Sequence, residues 1–590
     1  MKKIKRCLTA AILAGVMFLQ TVSVQAQEAS TKLPSGIQAD ELGEKIEEFV
    51  SEHEDTTAGM MVSVFDQNET ICQDYVGYAD KEAGIQVDQD TVMEWGSATK
   101  LLVWISVMQL WEQNQIDLDR DIRDYLPEGF LTKLRYDTTV TMKNLMNHNA
   151  GFQEVYADLF VKDKDALLTL PDSLKAHEPE QIYEPGTVTA YSNWGVALAA
   201  YIVQKVSGER FDDYVHNHIF NPLGMEHSAL FMDLSDNTWV QEKRKELQCY
   251  TTDGTLIEDC FYYITLYPAG MCTSTLGDFE IFGKALLDKE SPLFQKSSTW
   301  ETLFTPTSYL GDSEVPSNYH GLWVSAYGVE TVGHGGNTAG CSSYLLLDRK
   351  NGIGAVVMTN QSGETVYNSE MMELVFGKFS EEDYLGEKRS TPKGIYRPAR
   401  TVRSGPFKLS SLSFLIDEAE PDEFWMTGTS QGVEKISYPY VDFVRVPVWQ
   451  FVLEMGLFIL WIAAALFSLV SLLVKLIRKI VWICKKKKNV IPLGRWSTVA
   501  ALLQILVLVL LGCAVVKVSS YALFSTYRWM LVVLGILELV IAVLVGVGLR
   551  MVLTTKSTKK RKVYNWSTII LLVVTAVNIL YWNLYQFWNV

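Results

Sequence analysis

The stretch EWGSATKLLVWISVMQLW, residues 94–111, is the most informative part of the sequence because it joins a candidate nucleophile to a long apolar helix. Apolar residues continue at helical spacing from Lys100 to Gln113, which predicts a buried helix. Ser97 precedes Lys100 by three residues, so both side chains lie on one helix face. A serine hydroxyl needs a base to act as a nucleophile, and a lysine can be that base when its pKa is lowered. By itself, a serine at a helix start is more often an ordinary N-cap.

A second motif, Tyr191-Ser192-Asn193, stands at the start of another predicted helix, about residues 193–206. A phenol can relay protons between a serine and a leaving group, and an asparagine amide can orient a substrate carbonyl. Alone, the motif is more simply a tyrosine packed at a helix start.

A third motif, His334-Gly335-Gly336-Asn337, comes just before the strand-like segment CSSYLLLD. Glycines at a strand edge let a substrate backbone come close, and an imidazole can hydrogen-bond a substrate carboxylate or carbonyl. The backbone N–H of Asn337 could complete an oxyanion hole with that of Ser97. In isolation, a glycine turn with an exposed histidine is the simpler interpretation.

Together, the order and spacing of the three motifs resemble the serine β-lactamase and penicillin-binding-protein superfamily, in its class C-like branch. That branch uses S-x-x-K, then Y-x-N, then K-T-G or H-x-G. The segments DTVMEWGSATK, IDLDRDIRDYLPE, LMNHNAGF and YPAGMCTSTLGDFEIFGKALL also resemble the family, although Ala150 replaces its usual serine. The resemblance covers roughly residues 38–375.

The resemblance implies that Ser97 is the nucleophile of an acyl-enzyme and that Lys100 and Tyr191 share the acid–base work. It implies that Asn193 and the segment from His334 through Gly335 and Gly336 to Asn337 bind substrate. His148 and Asp278 are interpreted as structural. No cofactor and no metal are implied.

The predicted fold class is α+β, an antiparallel sheet flanked by helices with an inserted helical subdomain, followed by an all-α transmembrane bundle. Strand patterns lie at both ends of the domain, one around Gln67-Asn68 and one around Lys350-Asn351-Gly352, with helical patterns between them. The predicted domains are a signal peptide (1–26), a hydrolase domain (35–375), an extracytoplasmic linker (376–446) and a transmembrane region (447–590).

The C-terminal part is basic and very apolar. Phe451–Val590 contains 16 Lys/Arg and two acids, a net charge of +14, so residues 1–450 carry −30 of the total of −16. An acidic soluble part argues against nucleic acid as a partner, because phosphate backbones require a basic surface. Four apolar runs of bilayer-spanning length are predicted, at 449–474, 496–516, 529–553 and 564–587.

Two independent signals predict a multi-pass protein of the bacterial cell membrane with its catalytic domain outside. The basic loops after the first and third spans belong in the cytoplasm by the positive-inside rule. The N-terminus, MKKIKR followed by an apolar run and Val24-Gln25-Ala26, is typical of a signal peptide, with an uncleaved anchor helix as the alternative.

The expected function is hydrolysis of a D-amino-acid peptide or an ester through a Ser97 acyl-enzyme. His334 replaces the lysine usual in β-lactamases, and in the family H-x-G is more typical of D,D-peptidases and esterases. The alternatives are a true β-lactamase, a penicillin or wall-fragment sensor that acylates without turnover, and an inactive scaffold. Substrates would be small peptides, esters or β-lactam-like molecules. Four helices exceed what a tether needs, so the bundle could also bind a lipid-linked substrate or a transporter.

Overall fold

The computed structural model of the chain describes residues 32–385, 392–402, 406–416, 424–484 and 494–588. The predicted signal peptide, residues 1–26, lies outside these ranges. Within them the chain folds into an α+β domain, a small β-sheet and a bundle of long helices. This arrangement confirms the predicted fold class.

The α+β domain is organised around an antiparallel sheet in which nine strands are described. Its order is β4-β5-β6-β7-β8-β9-β1-β2-β3, so strands from the two ends of the domain lie side by side. The strands are β1 (Gly59–Phe65), β2 (Thr70–Asp80), β3 (Ile85–Gln86), β4 (Ser308–Tyr309), β5 (Pro316–Tyr319), β6 (Leu322–Ala326), β7 (Glu330–Asn337), β8 (Ser342–Asp348) and β9 (Ile353–Thr359). The two predicted hairpins are confirmed as β1–β2 and β8–β9.

Helices cover both faces of this sheet because its central strands are apolar on both sides. In β1, Met60 and Val62 pack in a cluster with α1, whereas Met61 and Phe65 pack in the main core with α4. The long helices of the domain are α1 (Leu42–Glu52), α2 (Lys100–Glu112), α3 (Asn193–Ser207) and α4 (Leu276–Leu287). Shorter helices are Met142–Met146, Leu170–Ala176, Phe211–Val215, Asn221–Leu223, Thr238–Lys243, Ser297–Leu303, Glu373–Phe376 and Glu381–Leu385.

The segment predicted as a linker, 376–446, contains a second sheet. Its order is β11-β10-β14-β13-β12. The strands are β10 (Ile395–Pro398), β11 (Leu415–Ile416), β12 (Met426–Ser430), β13 (Val433–Ser437) and β14 (Asp442–Arg445). Asp442 holds this sheet against the α+β domain, because its carboxylate accepts from the Thr189 N–H at 2.8 Å and pairs with Lys435.

Four C-terminal helices in the described residues are long and apolar enough to cross a membrane. They are α5 (Val448–Cys484), α6 (Arg495–Ser519), α7 (Phe524–Thr554) and α8 (Lys559–Tyr581). Large apolar side chains such as Leu539 and Leu553 point outward, whereas Gln504, Thr575 and Asn578 are buried between the helices. A bundle with apolar side chains on its outer surface and polar side chains between its helices suits a lipid environment.

A buried ion pair joins the bundle to the small sheet. Arg397 on β10 pairs with Glu454 on α5, and the Tyr581 hydroxyl donates to Glu454 at 2.7 Å. Glu454 is thus held by both the sheet and α8, which fixes the membrane region against the extramembrane part.

Cys249 and Cys260 lie eleven residues apart, close enough in sequence for a bridge that would close a local loop, but both are free and buried in the described structure. Their sulfur atoms lie 3.7 and 3.8 Å from the Arg244 guanidinium, which itself pairs with Glu94 at 2.7 Å.

Candidate active site

Ser97 and Lys100 meet at the N-terminal end of α2, as the spacing predicted. Ser97 lies in a short 3-10 turn, Gly96–Thr99, and Lys100 is the first residue of the helix. Lys100 Nζ is 2.9 Å from Ser97 Oγ and donates to the Ala269 carbonyl at 2.6 Å. Ser97 is half-buried, whereas Lys100 is buried completely.

The position of Lys100 suits a neutral amine. Burial lowers the pKa of Lys100 well below its usual value; the Glu154 carboxylate opposes this effect and the Arg400 guanidinium adds to it. A lysine that is neutral near physiological pH has a lone pair with which to accept a proton. The contact with Ser97 Oγ places that lone pair beside a hydroxyl proton.

Tyr191 is enclosed by aromatic and cationic groups. The His148 ring stacks on it at 4.2 Å between centroids, while Lys100 Nζ and Arg400 Cζ lie 5.0 and 4.8 Å from the Tyr191 ring centroid. Burial raises the pKa of Tyr191, although the Ser97 hydroxyl and Arg400 act in the opposite direction. Tyr191 therefore stays a neutral phenol, able to pass a proton on.

Asn193 is held by Glu154, which in turn pairs with Arg400, and the sequence singled out neither charged residue. Glu154 is fully buried, accepts from Asn193 Nδ2 at 3.4 Å, and pairs with Arg400 at 2.8 Å. Arg400 reaches this position from just beyond β10, in the segment that was predicted to be a linker. No sequence motif marks this pair, because its two members lie 246 residues apart.

His334 on β7 is buried and neutral. Burial, with a smaller contribution from Lys100, lowers the pKa of His334 to about 3. Its Nδ1 lies 2.6 Å from the Gly335 carbonyl, which can only accept, so Nδ1 carries the proton. Nε2 is then an acceptor, and it has no hydrogen-bond partner among the described residues. Such an imidazole suits a substrate N–H or O–H, and the expected contact of His334 with a substrate carboxylate or carbonyl does not fit this tautomer.

The glycines of β7 allow direct contact between this strand and the turn of the nucleophile. A Cβ on Gly336 would lie 1.8 Å from the Trp95 carbonyl oxygen and 2.8 Å from the Ser97 backbone nitrogen. Gly96, at φ +53°, faces the strand in the same way, since its Cβ would lie 2.6 Å from the Asn337 nitrogen. The backbone N–H groups of Ser97 and Asn337 are thereby placed in one small region, as an oxyanion hole requires.

His148 and Asp278 have structural environments. His148 Nδ1 accepts from the Ser192 N–H at 3.0 Å, which positions the chain beside Tyr191. Asp278 accepts from the His227 N–H at 2.8 Å and from the Ser228 hydroxyl at 2.7 Å.

These residues open onto one cleft of about 720 Å³. Its lining includes seven of the eight predicted site residues, Ser97, Tyr191, Asn193, His334, Gly335, Gly336 and Asn337. Lys100 lies behind Ser97. Arg400 and Tyr440 from the segment around the small sheet, and Val518 and Tyr521 from the membrane region, complete the walls.

A second cavity of about 800 Å³, beside Tyr319 and Arg349, contains none of the site residues. Across the described ranges, no group of three or more His, Cys, Asp or Glu is arranged to hold a metal ion.

Comparison with known proteins gives one family and several distant relatives. The family model described as Beta-lactamase matches residues 44–376. The "Putative penicillin-binding protein PbpX" of Bacillus subtilis (strain 168) is 26% identical over 307 residues, which are 50% of this chain and 72% of that protein. Protein flp of Staphylococcus aureus (strain N315) is 26% identical over 295 residues, 49% of this chain and 57% of that protein. Among solved structures, the octameric penicillin-binding protein homologue from Pyrococcus abyssi has 20% identity and a TM-score of 0.49, covering 69% of this chain and 100% of that one.

Proposed function

The chain belongs to the β-lactamase family, and from that premise we propose that it is a membrane-anchored serine hydrolase whose Ser97 forms an acyl-enzyme. Its substrate class is a peptide or ester that contains a D-amino acid. Its catalytic domain lies outside the cytoplasmic membrane of a bacterium. A relative described as a penicillin-binding protein agrees with this class of chemistry.

The observation that carries the proposal is the contact between Lys100 Nζ and Ser97 Oγ at 2.9 Å, made by a lysine that is fully buried. A purely structural lysine at a helix start would extend into solvent or pair with a carboxylate. Here the amine donates to the Ala269 carbonyl and meets the serine hydroxyl, and its burial favours the uncharged form. That arrangement activates a serine.

The reaction follows from these positions in two halves. Ser97 Oγ attacks the substrate carbonyl carbon while Lys100 takes the hydroxyl proton, and the N–H groups of Ser97 and Asn337 stabilise the resulting oxyanion. Collapse breaks the bond to the leaving group, which receives the proton through Tyr191, and leaves an ester on Ser97. A water molecule then attacks the ester carbonyl carbon and gives up a proton to Lys100 and Tyr191. The bond to Ser97 Oγ breaks, Ser97 Oγ takes a proton back from these groups, and the acid is released.

The preference for a peptide or ester over a β-lactam rests on His334. Family β-lactamases usually have a lysine there, whose positive charge attracts the substrate carboxylate. The His334 imidazole is neutral, and its free Nε2 accepts a hydrogen bond. A substrate that offers an amide N–H or a hydroxyl at this point satisfies that buried acceptor, whose desolvation otherwise costs about 1–3 kcal/mol.

The proposal is tested by intact-protein mass spectrometry of the full chain in detergent, after exposure to a fluorophosphonate and, separately, to a penicillin. We expect one adduct with each reagent, lost in Ser97→Ala and kept in Ser51→Ala, a matched change of an exposed serine on α1. No adduct on the wild-type chain would contradict the activated serine and favour an inactive scaffold.

Turnover then separates the remaining functions. We expect hydrolysis of peptides or esters that contain a D-amino acid, with little hydrolysis of the L-forms, and slow hydrolysis of a chromogenic cephalosporin. Rapid cephalosporin turnover would identify a true β-lactamase. A penicillin adduct that persists, without turnover of any peptide or ester, would identify a sensor.

A further inference from the structure

A loop of the membrane bundle forms part of the cleft that contains Ser97. This loop joins α6 to α7, and its residue Tyr521, together with Val518 in the last turn of α6, lines the cleft. One transmembrane helix would be enough to tether an enzyme. A membrane loop that enters the active-site cleft gives the bundle a second role.

The loop is attached to the α+β domain by specific contacts. The Tyr521 ring packs edge-on against Phe160 and Tyr262, with centroids 5.1 Å apart in both pairs. Leu523 provides no side-chain cap for α7, and Asp158 of the α+β domain takes that role by accepting from the Phe524 N–H at 2.6 Å. A carboxylate at a helix N-terminus satisfies an unpaired N–H and stabilises the helix dipole.

Backbone conformation indicates that the contact is held firmly on the Tyr521 side. Tyr521 has φ +52°, in the left-handed region that bulky residues rarely adopt, whereas Asp158 has φ +53°, which aspartate adopts more readily. Such conformations persist where surrounding contacts hold them. The loop is therefore a fixed wall of the cleft at the position where Tyr521 meets Phe160.

This wall is apolar and continues to the lipid-facing surface. Next to Val518 and Tyr521, the cleft is lined by Leu159, Phe160 and Ile264. Tyr521 keeps 40% of its surface exposed. One turn below the loop, Val515 and Val516 on α6 are exposed and apolar, at the end of a helix long enough to span a bilayer. An apolar chain anchored in the outer leaflet could pass along this surface into the cleft.

We infer that the α6–α7 loop is a subsite for an acyl chain, and that the substrate is an acylated or lipid-linked D-amino-acid peptide or ester taken from the outer membrane surface. This inference rests on the proposed function. Buried apolar contact with Val518 and Tyr521 would hold the chain while the reacting carbonyl reaches Ser97. Binding energy from such a remote group positions the reacting one.

The test measures how fast Ser97 of the full chain in lipid nanodiscs reacts with ethyl and with dodecyl fluorophosphonate, by intact mass. The readout is the ratio of the dodecyl to the ethyl rate constant, in which damage to the Ser97 site itself cancels. We expect a ratio above about ten for the wild-type chain, and a fall of about tenfold in Tyr521→Ala, the effect of losing one buried aromatic contact. Tyr521→Phe should keep the ratio.

Two controls separate the subsite from general effects. Partitioning of the dodecyl probe into lipid is the same for every variant, and Trp529→Ala, a change of an exposed aromatic on α7, should leave both rate constants unchanged. Val518→Thr, which keeps the shape and adds a hydroxyl, should lower the ratio without removing the Tyr521 contacts. An unchanged ratio in both Tyr521→Ala and Val518→Thr would overturn the inference, as would a wild-type ratio near one. Failure of both probes to label the wild-type chain would refute the proposed function, and the inference with it.

Discussion

Arg400 offers a sharp test of the idea that Lys100 is the base. Arg400 lies in the cleft from a distant part of the chain, and its positive charge helps to lower the pKa of Lys100. Replacing it with methionine, Arg400→Met, removes that charge while keeping much of the packing. Protonated Lys100 then becomes more stable, so the amine should be protonated, and the enzyme inactive, at higher pH than in the wild type.

The size of the effect follows from the geometry. Arg400 Cζ and Lys100 Nζ lie 4.8 and 5.0 Å from the same Tyr191 ring centroid, and these lengths together limit their separation to 9.8 Å. Two unit charges at that distance repel by about 1.7 kcal/mol at an effective dielectric constant of ~20. About a third of the Arg400 side chain is exposed, and solvent screening reduces the repulsion there. About 1.4 kcal/mol corresponds to a tenfold change in protonation. The acid limb of the pH–rate profile, where activity is lost as Lys100 becomes protonated, should therefore move to higher pH by about one unit.

The assay follows the rate constant for Ser97 labelling by ethyl fluorophosphonate as a function of pH, which requires no knowledge of the substrate. Glu154→Gln should move the acid limb to lower pH, because the Glu154 carboxylate stabilises protonated Lys100. Arg400→Lys keeps the charge and should leave the limb in place.

Arg400→Met also leaves the buried Glu154 carboxylate without its partner, which destabilises a fold by roughly 3–5 kcal/mol. The double variant Arg400→Met/Glu154→Gln removes both charges, so it should fold well and show an acid limb near that of the wild type. An acid limb that stays fixed in Arg400→Met, or moves to lower pH, would refute Lys100 as the titrating base.

Three further changes probe individual positions. Lys100→Met should reduce Ser97 labelling at least about 100-fold, since general-base catalysis contributes that much or more; labelling at the wild-type rate would exclude Lys100 as the base. In His334→Gln the pH profile of labelling should keep its shape, because the pKa of His334, about 3, lies below the pH range of the assay. Loss of a titration step above pH 5 in this variant would contradict the neutral imidazole. Gly336→Ala should abolish labelling while the chain still folds, as checked by circular dichroism, because the added Cβ would lie 1.8 Å from the Trp95 carbonyl oxygen. An active variant would mean that β7 does not pack directly against the Ser97 turn.

The positions that sequence could predict are those fixed by local geometry or by a family pattern. Ser97, in the 3-10 turn, and Lys100, at the start of α2, lie three residues apart in one continuous helical segment, so their contact follows from local spacing. Tyr191 and His334 were recognised only by their order relative to Ser97. The structure brings all of them to one cleft, although the spacing between the motifs contains no distance information.

Sequence could not predict the parts that long-range packing supplies. Glu154 and Arg400 are ordinary charged residues until folding places them together, and neither has a local pattern that marks it. The strands of the second sheet are two to five residues long and half polar, so their sequence pattern does not distinguish them from a linker. Tyr521 lies in a short loop between two apolar spans, where any polar or aromatic residue is unremarkable.

The cleft is therefore built by three parts of the chain. The α+β domain supplies Ser97, the segment around the small sheet supplies Arg400, and the membrane bundle supplies Tyr521. A soluble fragment ending before α5 would keep the nucleophile, yet it would lose the part of the apolar wall formed by Val518 and Tyr521, and the membrane partner of Asp158. Such a fragment should hydrolyse short substrates and lose selectivity for acylated ones. Activity on a short ester therefore reports on Ser97 and Lys100, whereas we expect selectivity for acylated substrates to require the full chain.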